Sequence, residues 1–244
     1  MLAVILAGGK GTRLMPFTIT IPKPLLPLGD MPIVEVVIRQ LAAAGVTRVV
    51  LTLGHLAHLF VATVGDGARL GVRVEYCFEE EPLGTAGPLR LVRDLGDDFL
   101  VMNGDILTML DYRDLIAVHR KQEAWGTIAV HRREVQIDFG VILLGDDGRF
   151  QGYREKPTLS YEVSMGVNVL SAECLQFIPP EQKFDMPDLM LAMHRAGKRV
   201  VCYRTDCYWQ DIGRFDDYQR ASDDFARDPL RFSPQAKPTG WIPR

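Results

Sequence analysis

Several short stretches of this chain carry residue types that act on anions. The first is Leu6-Ala7-Gly8-Gly9-Lys10-Gly11-Thr12-Arg13, a glycine-rich turn directly after the apolar run Leu2–Leu6. Glycines at the end of a buried strand let backbone N–H groups close on a nucleotide or its phosphates, and Arg13 adds charge beside them. The spacing matches neither G-x-x-x-x-G-K-[ST] nor a dinucleotide fingerprint, because Met15, Pro16 and Thr18 follow where a third glycine would open a long helix. A P-loop NTPase and a hydride-transfer enzyme are both disfavoured. The second stretch is Pro22-Lys23-Pro24, whose flanking prolines are expected to hold the backbone extended and present the ammonium from a stiff loop.

Asp105 in Asn103-Gly104-Asp105 and Asp211 in Trp209-Gln210-Asp211-Ile212-Gly213 each end an apolar segment. Hard carboxylate oxygens suit Mg²⁺, which takes one or two of them and fills its octahedron with water and substrate phosphates. Glu155-Lys156-Pro157 offers a second stiffened cation for another phosphate. The five histidines fall at no metal spacing and suggest no nucleophile triad. Four cysteines without a C-x-x-C pair read as reduced, mostly buried thiols.

The elements that must position these residues follow from periodicity. Of 244 residues, 47% are hydrophobic and 24% charged, enough for one α/β core. Strands are expected at Leu2–Leu6, Arg48–Leu53, Arg73–Phe78 and Phe99–Met102. Between them come a helix capped by Asp30 that ends at Gly45, a helix over Ala57–Val64 and another over Ala86–Leu95. Each strand should emerge beside the last. Beyond about residue 125 the spacing becomes hairpin-like, with Gly126–His131, Gly140–Leu144 and Phe150–Glu155 predicting an antiparallel extension. Ser164–Leu170 and Val200–Thr205 read as strands, and Ala172–Ile178, Pro187–Arg195 and Phe215–Arg227 as helices. Asp228–Arg244 is proline-rich and expected to be extended or poorly ordered.

With 28 basic and 31 acidic side chains, the chain lacks a field that would draw it to nucleic acid or an anionic membrane. No apolar run is long enough for a signal-peptide core or a span, so the expected location is cytoplasmic.

In their order and spacing, the glycine-rich turn, Pro22-Lys23-Pro24, Asn103-Gly104-Asp105, Glu155-Lys156-Pro157 and Trp209–Gly213 resemble the sugar-1-phosphate nucleotidylyltransferases. The resemblance implies a single-domain, Rossmann-like mixed sheet over 1–227, with a nucleotide half near 1–124 and a sugar-phosphate half near 125–227. It also implies NTP and sugar 1-phosphate as substrates, pyrophosphate as product, Mg²⁺ as cofactor and a homodimer. Leu6, Ala7, Gly8 and Gly9 would line base and ribose, while Gly11, Thr12 and Arg13 would hold the triphosphate. Lys23 would neutralise charge at the α-phosphate, and Asp105 and Asp211 would bind the metal. Pro82-Leu83-Gly84-Thr85-Ala86-Gly87 is similar to the base-facing segment of mannose-1-phosphate guanylyltransferases. GTP is therefore favoured, with backbone carbonyls or a carboxylate such as Glu80 or Glu81 accepting from guanine and Pro82, Gly84, Thr85 and Asn103 completing that site.

On the acceptor side, Lys156 would grip the sugar phosphate and Glu155 the hydroxyls, with Gly140, Ser164, Gly166 and Asn168 around them. Ser164-Met165-Gly166-Val167-Asn168 departs from the Asn-Ala-Gly-x-Tyr of mannose enzymes and is similar to glucose-1-phosphate adenylyltransferases. The acceptor therefore stays open among mannose, glucose, amino-sugar and heptose phosphates, and ATP, dTTP or UTP stay open beside GTP. A non-catalytic nucleotide-sugar sensor is the contrasting class, and a cytidylyltransferase acting on an alcohol phosphate is disfavoured. The catalytic unit should end near Arg227 and act alone, without an appended β-helix.

Overall fold

In the computed structural model, which describes residues 1–233, strands and helices alternate through the first half. β1 (Leu2–Leu6) leads through short 3-10 turns to β2 (Pro27–Leu28), β3 (Met31–Pro32) and α1 (Ile33–Ala43). β4 (Arg48–Leu53), α2 (Ala57–Val64), β5 (Arg73–Phe78), β6 (Asp98–Asn103), β7 (Ile106–Thr108) and α3 (Tyr112–Lys121) follow. The second half holds β8 (Gly126–Gln136), β9 (Val141–Leu144), β10 (Phe150–Arg154), β11 (Thr158–Ser171) and α4 (Met186–Arg195). β12 (Val200–Thr205), β13 (Trp209–Asp211), α5 (Phe215–Arg227) and α6 (Pro229–Phe232) complete it.

Seven strands form one sheet in the order β12-β8-β11-β6-β1-β4-β5. All are parallel except β11, which lies antiparallel between β6 and β8. The sheet thus draws on both halves of the chain. Side-chain alternation splits its core in two: Ala3, Ile5, Val49, Leu51 and Met102 pack on one face, and Leu2, Val4, Val50, Phe99 and Val101 on the other. Each large aliphatic or aromatic side chain so buried contributes about 1.5–3 kcal/mol.

The expectation that each strand lies beside the last fails at β6. β4 and β5 follow β1 on one side, but β6 returns to its other side. That reversal creates the crevice at strand carboxyl ends where open α/β sheets take ligands. At its mouth, Leu6 is in register with Thr52 on one side and Asn103 on the other.

Other departures have local causes. Asp30 does not cap α1, because Met31 and Pro32 are held in a two-strand ladder with Pro27 and Leu28 and Pro32 becomes the cap. Ala86–Leu95 is only a 3-10 segment, Gly87–Leu91, cut short where Val92 turns extended. Ala172–Phe177 is likewise 3-10. The β9–β10 hairpin forms its own two-stranded sheet rather than extending the main one. Helix α3 was unforeseen, although Asp111 caps it through the N–H groups of Arg113 and Asp114 and it buries Tyr112, Leu115, Ile116 and His119 at helical spacing. Residues 228–232 are not extended: Asp228 accepts from Arg231 N–H, Pro229 opens a short helix, and Phe232 is buried against Phe225 and Tyr208. The rest of the expected tail, 234–244, lies outside the described residues. All four cysteines are free, but only Cys174 is buried and Cys202 is exposed.

Glu35 of α1 is the buried acid that ties this helix to the α2–β5 connection. Its carboxylate accepts from Arg69 Nη1 and Nη2, both at 2.7 Å, and from Arg39 Nη2 at 2.7 Å. Burial alone would raise its pKa, but the Arg69 and Arg39 contacts outweigh it and hold the group below 4.5. Stability from this acid is therefore present above that value and lost as pH falls through the lower folded pKa. Glu35→Gln should cost about 1–3 kcal/mol at neutral pH, and the deficit should shrink in acid. Urea unfolding of both proteins from neutral pH to below pH 4 checks this.

Candidate functional site

Three cavities meet at the carboxyl ends of β1 and β6. The first, of 410 Å³, is lined by the glycine-rich loop, Lys23, Thr52, Glu79, Pro82, Gly84, Thr85, Asn103 and Asp105. The loop's shape is set locally. Gly11 sits at φ +61, its carbonyl accepts from Thr18 Oγ1 at 2.8 Å, and Leu14 anchors the following turn in the core. Pro22 is extended as expected, but Lys23 itself opens a 3-10 turn, because Leu25 N–H bonds back to Pro22 O and Leu26 N–H to Lys23 O. That turn buries the lysine and lays its ammonium against the Asp105 carboxylate.

Asp105 and Asp211 come from distant sequence but adjoining elements. β13 pairs antiparallel with β7, and Ile212 N–H donates to Asp105 O at 3.1 Å. Trp209 Nε1 donates to Met165 O, which fixes β13 against the β11 segment. Desolvation, and then the charge of Asp105, raise the pKa of Asp211, with Lys23 and Arg13 opposing. Two carboxylates that repel each other at a cleft mouth form a donor set suited to a divalent cation. Among the described residues, no group of three or more His, Cys, Asp or Glu gathers to hold a metal. Phosphate and water oxygens would have to complete its shell, as Mg²⁺ prefers.

The second cavity, of 610 Å³, shares Leu6, Thr85 and Asn103 with the first and continues past Ser164, Met165, Gly166, Asn168, Met190 and Trp209 to Asp211. It is largely apolar and has no cation in its lining. A β-bulge between Ser164 and Asn168 opens it. Gly166 at φ +72 is required there, since a Cβ would come within 2.7 Å of Asn103 Nδ2. Thr85 is as much joint as lining: its hydroxyl accepts from Met186 N–H at 2.7 Å, and Asp185 accepts from its N–H, tying the 82–85 segment to the start of α4. The third cavity, of 550 Å³, runs from Arg13 and Asp211 between β8 and α5.

Most of the expected site residues are thus brought together. Glu81 is not: it and Glu80 are exposed, while Glu79, one residue past β5, reaches the first cavity. Burial raises the Glu79 pKa against the lowering effect of its bond from Leu83 N–H. The signal for it was its place just past a parallel strand's carboxyl end, like Asp105. Gly140, Glu155 and Lys156 line none of the three cavities. The β8–β11 ribbon extends to the Gln136–Thr158 pair, and its tip and the β9–β10 hairpin carry them outward, with Glu155 and Lys156 exposed.

A family model described as nucleotidyl transferase matches residues 2–228. The UTP--glucose-1-phosphate uridylyltransferase of Synechocystis sp. is 33% identical over 241 residues, covering 91% of this chain and 62% of its own length. The mannose-1-phosphate guanyltransferase of Schizosaccharomyces pombe is 34% identical over 227 residues, covering 89% and 62%. The chain spans about three fifths of the length of these curated relatives. The structure of HddC from Yersinia pseudotuberculosis complexed with GMP-PN superposes with a TM-score of 0.68 at 26% identity, covering 92% of this chain and 99% of that one. No helix among the described residues is long and apolar enough to cross a membrane.

Gly84 tests how tightly the first cavity is built. At φ +82, with a Cβ falling 2.7 Å from the Phe184 carbonyl and 2.6 Å from Asp185 Oδ1, it has no room for a methyl group. Gly84→Ala should cost about 1–3 kcal/mol, from backbone strain alone, which thermal unfolding of both proteins checks.

Proposed function

This chain belongs to the nucleotidyl transferase family, and on that premise we propose that it transfers a nucleotidyl group from a nucleoside triphosphate, GTP favoured, to a sugar 1-phosphate. The observation that carries the reading is the junction of a glycine-loop cavity and an apolar cavity at Asn103, with Lys23, Asp105, Arg13 and Asp211 around it.

In this reading Leu6, Ala7, Gly8 and Gly9 receive base and ribose, and Gly11, Thr12 and Arg13 meet the triphosphate. Lys23 lies against Asp105 before substrate arrives, so its ammonium is already oriented to neutralise charge at the α-phosphate. Asp105 and Asp211 would hold Mg²⁺, which when bound supplies charge neutralisation across the reacting phosphates. The chain brings no nucleophile to these cavities, so its contribution is alignment of the acceptor oxygen with the α-phosphorus and stabilisation of the charge that moves. Ser164 and Asn168 are the polar groups offered to the acceptor's hydroxyls.

Guanine is supported by Glu79. A carboxylate in the base cavity accepts from both N1–H and N2–H of guanine, a donor pair that adenine lacks. The guanyltransferase relative and the GMP-PN complex of HddC agree with that choice.

The test is pyrophosphate release across a matrix of nucleoside triphosphates and sugar 1-phosphates; folded protein silent in every cell overturns the reading. Arg13→Ala and Lys23→Ala should each lower kcat by about 10²–10³, the scale of losing one preorganised electrostatic group. Glu79→Gln should lower kcat/KM for GTP by the equivalent of about 1–3 kcal/mol in transition-state stabilisation while sparing UTP. Equal losses with both nucleotides would show that Glu79 does not read the base.

A further inference from the structure

The first and second cavities have walls that are built as one unit. Pro82, Gly84 and Thr85 line the first, while Met186, Pro187, Met190 and Leu191 at the start of α4 line the second. A continuous ladder of hydrogen bonds joins the two. Leu83 N–H donates to Glu79 Oε2 at 3.0 Å, Phe184 N–H donates to Leu83 O at 2.9 Å, and Ala86 and Gly87 N–H return to Phe184 O at 2.9 and 3.0 Å. The backbones also touch at Gly87, where a Cβ would stand 3.1 Å from Gln182 O.

The ladder reaches the helix through an exchange of caps. Asp185 is the N-cap residue of α4, yet its carboxylate caps nothing in that helix. It turns instead to Thr85, where Oδ1 accepts from the N–H at 3.0 Å and from the hydroxyl at 3.3 Å, while Oδ2 lies 3.8 Å from Lys183 Nζ. By taking the hydroxyl proton, the carboxylate leaves a Thr85 lone pair facing Met186 N–H, which donates to it at 2.7 Å. A helix start that its own cap would ordinarily hold is thus held by the 82–87 segment. Asp185 itself lines neither cavity.

A ligand on either side acts on this shared unit. On the proposed reading, a base meets Glu79 and the 82–85 backbone, and an acceptor meets Thr85, Met186 and Met190. The freedom removed in fixing the unit is removed once, by whichever ligand arrives first, and the second finds its wall in place. Coupling of this kind is reciprocal. Resting on the proposed nucleotidyl transfer, we infer that Asp185 is a positioning residue which, through Thr85, makes the nucleotide and the sugar phosphate raise each other's affinity.

Two-substrate initial-velocity kinetics read the coupling, using the nucleoside triphosphate and sugar 1-phosphate that the pyrophosphate-release matrix selects. In the wild-type protein, the KM of each substrate should fall at least about fivefold as the other goes from trace to saturating. Asp185→Ala should bring that ratio close to one, whereas Asp185→Asn, which keeps the Oδ1 acceptor, should retain most of it. Thr85→Val reads the same contact from the other side and should also lose the ratio, with Thr85→Ser restoring it. Asp188→Ala is the control, because it removes an exposed acid from the same helix start and makes no contact with Thr85. Calorimetric titration with the α,β-methylene analogue of the triphosphate, with and without the sugar phosphate, should report the same ratios, and circular dichroism confirms folding. A purely structural role would lower the melting temperature without moving the ratio. A ratio unchanged by Asp185→Ala, lost equally in Asp188→Ala, or already near one in the wild-type protein overturns the coupling and leaves the transfer reading intact. Wild-type protein silent across the matrix overturns the reading, and the inference falls with it.

Discussion

A lysine ammonium buried against a strand-end carboxylate organises everything around it. Lys23 is 7% exposed, and a charge so far out of water costs several kcal/mol unless a partner meets it. Its partner, Asp105, belongs to the end of β6, while the lysine belongs to the loop that follows β1. The pair therefore closes the glycine-rich loop over the crevice that the β6 reversal opens. Packing reinforces the closure: a Cβ on Gly104 would lie 3.0 Å from Ile5 Cγ2 and 3.4 Å from Pro24 Cγ. A bulkier residue there would push β6 away from β1 and pull the carboxylate off the ammonium.

The same economy of backbone recurs at the second cavity. Gly166 takes a positive φ so that Asn103 can lie against β11, and Thr85 spends its hydroxyl on Met186 N–H rather than on solvent. Both choices fix walls shared by two cavities. A site held by main-chain approach and by side chains already bonded loses little freedom when a ligand arrives, which is the condition for electrostatic groups to act at full strength. At Asp211, desolvation and then the neighbouring Asp105 oppose the charged form, which favours a cation beside it.

How much of this was legible in the sequence depended on whether a signal was local. The parallel strands, the glycine loop and the juxtaposed Asp105 and Asp211 were legible from apolar runs that stop at glycine or an acid. Lys23 was recognised, but its conformation was not, because two prolines permit either an extended chain or a 3-10 turn and only the burial against Asp105 selects one. Glu79 was passed over for Glu80 and Glu81, since three successive glutamates carry no label and it is the end of the β5 ladder that aims the first inward. The hairpin misled for the opposite reason. Glu155-Lys156-Pro157 has the composition of a phosphate grip, yet the length of the β8–β11 ribbon, a property of pairing across more than twenty residues of sequence, carries it out of the cavities. Arg132, Arg133, Arg214 and Arg220 gave no signal at all, because two elements far apart in sequence meet only in the fold.

That last case also shows how little a net charge constrains a site. A chain of net charge -3 repels polyanions at a distance, yet where β8 meets α5 five arginines line a cleft that holds three acids. The second cavity, by contrast, is largely apolar and its lining is uncharged apart from Asp211. On the proposed reading, the division would place the strong, poorly selective attraction on phosphates and leave the choice of sugar to shape and to the few hydrogen bonds that Ser164 and Asn168 can make. Under the proposed transfer, such a site would take most of its rate from phosphate positioning, because those contacts change most as charge moves. It would take its selectivity from the penalty of leaving a buried amide or hydroxyl unpaired against the wrong hexose.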